Sequence, residues 1–224
     1  MKRNPLNRPL LFIILLALSN PIAGHSESNE KAYIIQIDTG LFIGQIDKGQ
    51  LHGHGILFLK NGDYFIGTWT RGSLEGPGAW YERLPSSDSL HFSYHFVIFA
   101  NNRVSRKIEY EYCSLDDIQM AWSDCHCIAG NCISGQGMQF NGMLQSGSLI
   151  NHRLHGFGVW IDGMSNIHVG TFKDGQPNGQ GVFLHIVENG SGIEKGIYRG
   201  IWRPNQTEPD QVEYYLLPLS ILGR

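Results

Sequence analysis

Residues 65–81 read FIGTWTRGSLEGPGAWY, and this stretch decides the fold. Phe65, Gly67 and Trp69 occupy alternate positions, so an extended strand places all three on one face. The segment TRGSLE that follows has the composition of a tight turn, and a Gly-x-Gly with a second aromatic residue closes the stretch. These residues predict a β-hairpin whose glycines leave room for the aromatic side chains of a neighbouring hairpin.

The glycines of this hairpin recur along the chain with a fixed offset of 23 residues. Bulky side chains keep the same offset, since Phe42 corresponds to Phe65 and Leu149 to Phe172. Repetition at a fixed period is the signature of stacked structural units. The glycine pairs are Gly44 and Gly67, Gly49 and Gly72, Gly53 and Gly76, Gly55 and Gly78, Gly147 and Gly170, Gly156 and Gly179, and Gly158 and Gly181, and a further unit starts at Tyr198, Gly200 and Trp202.

A single hairpin is not stable in water, so the repeated units must stack in series. We therefore expect an all-β fold of serial hairpins. The hairpins should join into one elongated, twisted antiparallel sheet, a half-pipe whose inner layer consists of glycine and aromatic residues. Trp69, Trp80, Trp160 and Trp202 fall on this packing face. They form a core if the half-pipe is filled, and line a groove if it is open.

Segments such as FIGTWTRGSLEGPGAWY and HVGTFKDGQPNGQGVF resemble MORN (membrane occupation and recognition nexus) repeats. The resemblance covers about 41–81 and 138–202. It departs from the family pattern at Gln145 and His168, which replace the aromatic residue that starts a unit. The resemblance implies a binding or scaffolding surface that associates with membranes or envelope structures.

The repeats divide the chain into two blocks separated by a segment that follows the pattern poorly. Within that middle segment, 89–99 alternates like a strand, and Gly135-Gln136-Gly137 looks like the closing element of a unit. The predicted organisation is a signal peptide at 1–24, an N-terminal strand or linker at 25–40, repeats at 41–81, a degenerate repeat with a cysteine-containing insertion at 82–134, repeats at 135–203, and an apolar C-terminal cap at 204–224.

The N-terminus has the layout of a secretory signal peptide. Lys2, Arg3 and Arg8 precede the nine-residue apolar run 10–18, and a polar segment with small residues follows. The run is too short to cross a bilayer comfortably, although an uncleaved signal anchor is the alternative. We expect an exported protein, in the periplasm, in the cell envelope or secreted, that begins near His25.

Charge argues against a nucleic-acid partner. Without the three N-terminal cations, the 17 basic residues fall to 14 against 20 acidic ones, a net charge of about −6. Such a balance gives no strongly basic face for nucleic acid or for simple electrostatic binding to anionic lipid. The one basic stretch, RVSRK at 103–107, runs directly into the acidic EYEY.

Four cysteines lie in the insertion, at Cys113, Cys125, Cys127 and Cys132. An even number in an exported chain favours two disulfides, which would staple a loop that the sheet alone cannot hold. A joint zinc site is the alternative, but the spacing lacks the paired C-x2-C of zinc ribbons, and free thiols are the third option. Of the three pairings, the one that joins Cys125 to Cys127 is the least favoured because its ring is strained.

Residues 51–55 read LHGHG, and 154–158 read LHGFG. His52 and His54 could hold a metal, but the equivalent positions of the other units keep no ligand type, so the pentapeptide is interpreted as the turn and closing Gly-x-Gly of a repeat. For catalysis, Asp116 and Asp117 are adjacent and point to different sides, and no nucleophile or P-loop motif is present.

We therefore predict an exported, non-enzymatic repeat protein without a cofactor or metal. Its expected partner is a protein or an envelope or membrane component, association with another copy is left open, and a small-molecule substrate is disfavoured. The alternative is a small envelope enzyme with its site in 82–134, which substitution of His126, Asp116 and Asp117 would test.

Overall fold

The computed structural model of the chain describes residues 31–83, 92–108, 127–140, 142–162, 166–189, 192–206 and 209–216. The described residues form fifteen β-strands and no helix. The strands are Tyr33–Ile37 (β1), Gly40–Asp47 (β2), Gln50–Leu59 (β3), Tyr64–Thr70 (β4), Ser73–Arg83 (β5), Phe92–Ala100 (β6), Arg103–Lys107 (β7), Cys127–Gly130 (β8), Ser134–Phe140 (β9), Met143–Ile150 (β10), Arg153–Asp162 (β11), Asn166–Lys173 (β12), Gln176–Asn189 (β13), Gly192–Trp202 (β14) and Asp210–Leu216 (β15).

The strands form two antiparallel sheets in which each strand pairs with its neighbours in sequence. Sheet 1 contains β1 to β7 and sheet 2 contains β8 to β15, both in sequential order. The prediction of an all-β fold of serial antiparallel hairpins is confirmed. The strands divide into two sheets where the sequence suggested one, and the division lies in the segment between β7 and β8, within the predicted insertion.

Tight turns of two residues close several of the hairpins. At five of them both turn residues have positive φ, which is the geometry of the type I′ turn that matches the twist of the flanking strands. Glycine takes the second turn position in three units, whereas Asn102 and His152 take it in two others. The five turns are Lys48-Gly49, Arg71-Gly72, Asn101-Asn102, Asn151-His152 and Asp174-Gly175.

The two sheets pack against each other through one face each. Strand β3 contacts β11, and β2 contacts β12, so the equivalent strands of the two repeat blocks meet. Ile56 and Phe58 of sheet 1 share a buried apolar cluster with Val159 and Ile161 of sheet 2. Burial of this shared cluster is what holds the sheets together, because apolar area removed from water stabilises by about 25 cal/mol per Å².

The opposite face of each sheet carries the repeat glycines and is called the repeat face here. Glycines of successive strands are directly opposite one another and form a row across each sheet. A Cβ on Gly55 would lie 2.6 Å from the ring of Phe42, and a Cβ on Gly78 would lie 2.5 Å from the ring of Phe99. The prediction that glycines make room for large side chains is therefore confirmed. The row is Gly44, Gly55, Gly67 and Gly78 in sheet 1, and Gly130, Gly137, Gly147, Gly158, Gly170, Gly181 and Gly200 in sheet 2.

The first glycine of each closing Gly-x-Gly has a different role from the second. Gly53, Gly76, Gly156 and Gly179 all have positive φ and lie at β-bulges, where the strand register shifts next to the glycine row. A bulge adds residues on one strand and increases the local twist. Alternation from the glycine row places the middle residue on the side of the shared cluster. His54 and Phe157, the middle residues of the two near-identical pentapeptides, are both buried on that side.

The middle segment and the two ends are partly described. Strand β6 coincides with most of the alternating stretch at 89–99, and the basic stretch RVSRK forms β7, an edge strand whose three cations are exposed. Charged side chains of this kind protect a sheet edge from pairing with other chains. Strand β1 lies within the predicted N-terminal segment at 25–40, and β15 pairs with β14 and forms the outer edge of sheet 2. The predicted signal peptide and 217–224 of the predicted cap lie outside the described residues.

Candidate binding surface

The repeat face of sheet 1 is filled by its own side chains. Phe42, Phe65, Trp69 and Phe99 are at most 1% exposed, and their rings contact one another edge to face. Only Trp80, which lies beside Phe65 at a centroid distance of 6.0 Å, is half-buried. On this sheet the repeat aromatics are therefore core residues, and the half-pipe leaves no open groove along them.

The repeat face of sheet 2 carries a corresponding row, which becomes more exposed towards the C-terminus. Trp160 is opposite His168, and His168 is opposite Phe183. Phe183 is in turn opposite Tyr198, and Tyr198 is opposite Tyr214 on the edge strand β15. His168 is completely buried, Phe183 and Tyr198 are half-buried, and Tyr214 is 78% exposed.

We call Phe183, Tyr198 and Tyr214 the aromatic strip. Their ring centroids lie 5.1 Å and 5.9 Å apart, with interplanar angles of 34° and 49°. Trp202 lies beside the strip on the same face of β14, 6.3 Å from Tyr198 and only 4% exposed. The strip is thus a tilted succession of rings on three neighbouring strands, flanked by a buried indole.

His168 occupies the position that Phe42, Phe65 and Tyr198 hold in other units. Its ring lies 4.6 Å from that of Trp202 and 5.0 Å from that of Phe172, both edge to face. Neither ring nitrogen has a hydrogen-bond partner among the described residues. Burial lowers the pKa of His168 to about 3, so the imidazole is neutral at physiological pH. The sequence showed a lost aromatic residue here, whereas the structure shows a neutral ring that packs as one.

The opposite face of the last two strands carries polar contacts. Arg199 Nη2 donates to Glu213 Oε2 at 2.5 Å, and the Tyr215 hydroxyl donates to the same oxygen at 2.7 Å. Hydrogen bonding to Tyr215, followed by that to Arg199, lowers the pKa of Glu213. These contacts fix β15 to β14 and leave Tyr214 directed to the other side.

The two histidines of LHGHG do not form a pair. His52 is exposed at the turn, whereas His54 is 7% exposed and packs between the sheets. His54 Nε2 lies 2.5 Å from Oε1 of Gln136, and Nδ1 lies 3.5 Å from the Thr68 hydroxyl. Among the described residues, no three His, Cys, Asp or Glu side chains are grouped so as to hold a metal ion.

Cys127 and Cys132 form a disulfide with a Cα–Cα distance of 5.8 Å. Both pack against a small buried cluster at the start of sheet 2 that contains Leu149, Leu154 and Phe172. Two sulfurs bonded to each other are not the free thiolates that zinc requires, and the pairing of Cys125 with Cys127 is excluded. Cys113 and Cys125 lie outside the described residues.

The residues considered for catalysis, Asp116, Asp117 and His126, also lie outside the described residues. In the part of the chain that the structure describes, there is no helix with the length and apolar character needed to span a membrane.

Sequence reasoning missed two members of the strip. Tyr214 was included in the C-terminal cap, and Phe183 was not singled out. A signal for Phe183 was present, because it follows its closing Gly-x-Gly by two residues, as Trp80 and Trp160 follow theirs. Tyr214 lies beyond the last repeat, and only its pairing with Tyr198 places it in the row.

Comparison with known families supports the interpretation of the repeats. The family model described as MORN repeat matches residues 42–64, which cover β2, β3 and the start of β4, and residues 168–185, which cover β12 and the first part of β13. No curated protein matches the chain. Repeats of this family are generally modules for interaction with proteins or membranes. The MORN-repeat model thus matches one segment in each of the two sheets.

Proposed function

We propose that this chain is an exported, non-enzymatic scaffold that binds a protein partner of the cell envelope through the aromatic strip. The observation that carries the proposal is the rise in exposure along one row of side chains. His168 is fully buried, whereas Tyr214, three positions further along the row, is 78% exposed. Sheet 1 has no comparable exposure among its row aromatics Phe42 and Phe65, which are core residues.

An exposed tyrosine beside other half-exposed rings is suited to protein recognition. Aromatic residues are enriched in interfaces because a rigid ring offers a large contact area for few rotatable bonds. The hydroxyl groups of Tyr198 and Tyr214 add hydrogen-bonding capacity at the edge of the apolar rings. Protein contact is favoured over electrostatic lipid binding because the chain carries a net negative charge.

Two observations support export. The first 24 residues have the layout of a signal peptide. The disulfide between Cys127 and Cys132 is of the kind that forms and persists in oxidising compartments.

Site-specific photocrosslinking in cells tests the binding surface. A photoreactive phenylalanine analogue at Tyr214 should give a discrete adduct that disappears when Tyr198 is changed to Ser. Tyr33 is the matched control, since it is also an exposed tyrosine on an edge strand, but of sheet 1. Equal adducts at both positions, or none at Tyr214, would refute the assignment of the surface.

Two further measurements test the remaining parts of the proposal. Residues 1–30 fused to a reporter that is active only outside the cytoplasm should give activity, and a silent reporter would contradict export. Flotation with anionic vesicles at low salt should leave the purified chain unbound, whereas binding would favour a lipid over a protein partner.

A further inference from the structure

We infer that His168 is an acid-sensitive trigger that loosens the strands carrying the aromatic strip. The inference concerns the stability of β12 to β14 and holds whether or not the strip binds a partner. It rests on the enclosure of an ionisable ring by Phe172, Phe183 and Trp202, with neither nitrogen hydrogen-bonded among the described residues. A proton added to that ring has no hydrogen-bond acceptor among the described residues that enclose it.

The backbone around His168 leaves the ring little room to adjust. A Cβ on Gly181 would lie 2.6 Å from Nε2 of His168, so the imidazole lies directly on the glycine of the neighbouring strand. The register places Trp160 on one side and Phe183 on the other. The ring can therefore reach water only if the enclosing side chains of β12, β13 and β14 move away from it, and that movement releases Phe183 from its support and loosens the packing of these strands.

Among the described residues, no charged side chain contributes to the lowered pKa of His168. Tyr198 on β14 is the ionisable member of the row beyond Phe183, and Asp162 on β11 and His185 on β13 lie one step further along the same face. His185 Nδ1 donates a 2.6 Å hydrogen bond to Oδ1 of Asn166. Burial is the only cause of the lowered pKa of His168.

The sign of the effect follows from proton linkage. The pKa of His168 is about 3 in the folded chain and 6.5 for an unperturbed histidine, so the opened state binds more protons between these values. Stability contributed by the closed state is complete above pH 6.5 and is lost as the pH falls towards 3. At pH 5.0 the local opening equilibrium should be roughly thirty-fold larger than at pH 7.5, since each pH unit below 6.5 contributes about tenfold.

His54 responds in the same direction, because burial also lowers its pKa, although the bond to Gln136 partly opposes the shift. It lies in sheet 1, so a measurement local to β12–β14 separates the two histidines.

Amide hydrogen exchange of the full chain at pH 5.0 and 7.5, corrected for the intrinsic pH dependence of exchange, is the test. Peptides from β12 to β14 should show roughly thirty-fold more opening at pH 5.0 in the wild type. His168→Phe should abolish this difference, since phenylalanine fills the space between Phe172, Phe183 and Trp202 but takes up no proton. The matched control His185→Phe removes an exposed histidine from the same face and should behave like the wild type.

An unchanged difference in His168→Phe would overturn the inference. If that variant does not fold, an NMR titration of the wild-type imidazole replaces it. The His168 ring should stay neutral in the folded chain down to about pH 4, and a titration midpoint near 6.5 in the folded state would overturn the inference equally.

Discussion

His54 and Gln136 form a hydrogen bond that joins the two sheets, with Nε2 of His54 2.5 Å from Oε1 of Gln136, although the two residues are 82 positions apart in the chain. Gln136 also donates to the Ser148 hydroxyl at 2.7 Å. The bond is a polar contact beside a largely apolar interface. It links the middle residue of one closing Gly-x-Gly, at 53–55, to the middle residue of another, at 135–137.

This bond predicts a measurable coupling between the sheets. Gln136→Ala should lower the free energy of unfolding by about 1–2 kcal/mol, because it leaves the buried imidazole of His54 without its partner. His54→Ala should cost about 2–3 kcal/mol, since it also leaves a cavity between the sheets. Urea unfolding measures both changes.

The double variant distinguishes a direct contact from two independent effects. Its cost should be smaller than the sum of the single costs by about 1 kcal/mol, as expected for residues in contact. His52→Ala, at the exposed histidine two residues away, should change stability by less than about 0.5 kcal/mol. Strict additivity would contradict the coupling.

The glycine row predicts that alanine is tolerated at some glycines and excluded at others. A Cβ on Gly170 would lie 2.6 Å from the Cα of Gly181 and 2.7 Å from the carbonyl oxygen of Gln180. Because both are backbone atoms, the strands must separate to admit a methyl group. Gly170→Ala should therefore lower stability by about 3 kcal/mol or more, as overpacking of a rigid site does.

Gly196 is the matched control for this substitution. It lies in the same sheet, a Cβ at this position would meet no atom within 4 Å, and its backbone is not left-handed. Gly196→Ala should be neutral or stabilising by up to about 1 kcal/mol, since alanine restricts the unfolded chain. Equal losses at the two positions would show that the row has no special steric role.

The hairpin repeat could be predicted from the sequence because glycine spacing and turn residues act locally. The two-sheet packing could not, since it depends on contacts between strands that are far apart in the chain, such as β3 and β11. The same limit applies to the contact of His54 with Gln136, because the two residues lie in different sheets. The exposure of Tyr214 likewise follows from its place on an edge strand, which only the strand order reveals.

The turn at Asn151-His152 predicts a stabilising substitution. His152 has a φ of 60°, and the equivalent residue of the next unit is Gly175, with a φ of 84°. A left-handed conformation costs a residue with a side chain about 1–2 kcal/mol, part of which glycine loses again through its greater freedom when unfolded. His152→Gly should raise the free energy of unfolding, measured by urea titration, by about 0.5 kcal/mol.

Replacement of the glycine at the equivalent turn position, Gly175, is the control. Gly175→Ala should cost about 1 kcal/mol, although the nearest atom to its Cβ, in Arg153, lies at an ordinary 3.5 Å. The loss of stability in Gly175→Ala would then come from the left-handed backbone conformation and not from steric crowding. A loss of stability in His152→Gly would contradict this account and would indicate that the histidine side chain itself contributes.

The disulfide between Cys127 and Cys132 should form and stabilise the fold without the other two cysteines. In a chain with Cys113→Ser and Cys125→Ser, thiol titration under denaturing conditions should find no free thiol. Reduction of that variant should lower the free energy of unfolding by about 2 kcal/mol, as expected for closing a short loop. A metal chelator in excess should leave its urea midpoint unchanged, because the two sulfurs are bonded to each other. Two free thiols, or sensitivity to the chelator, would instead support a metal-binding role for these cysteines.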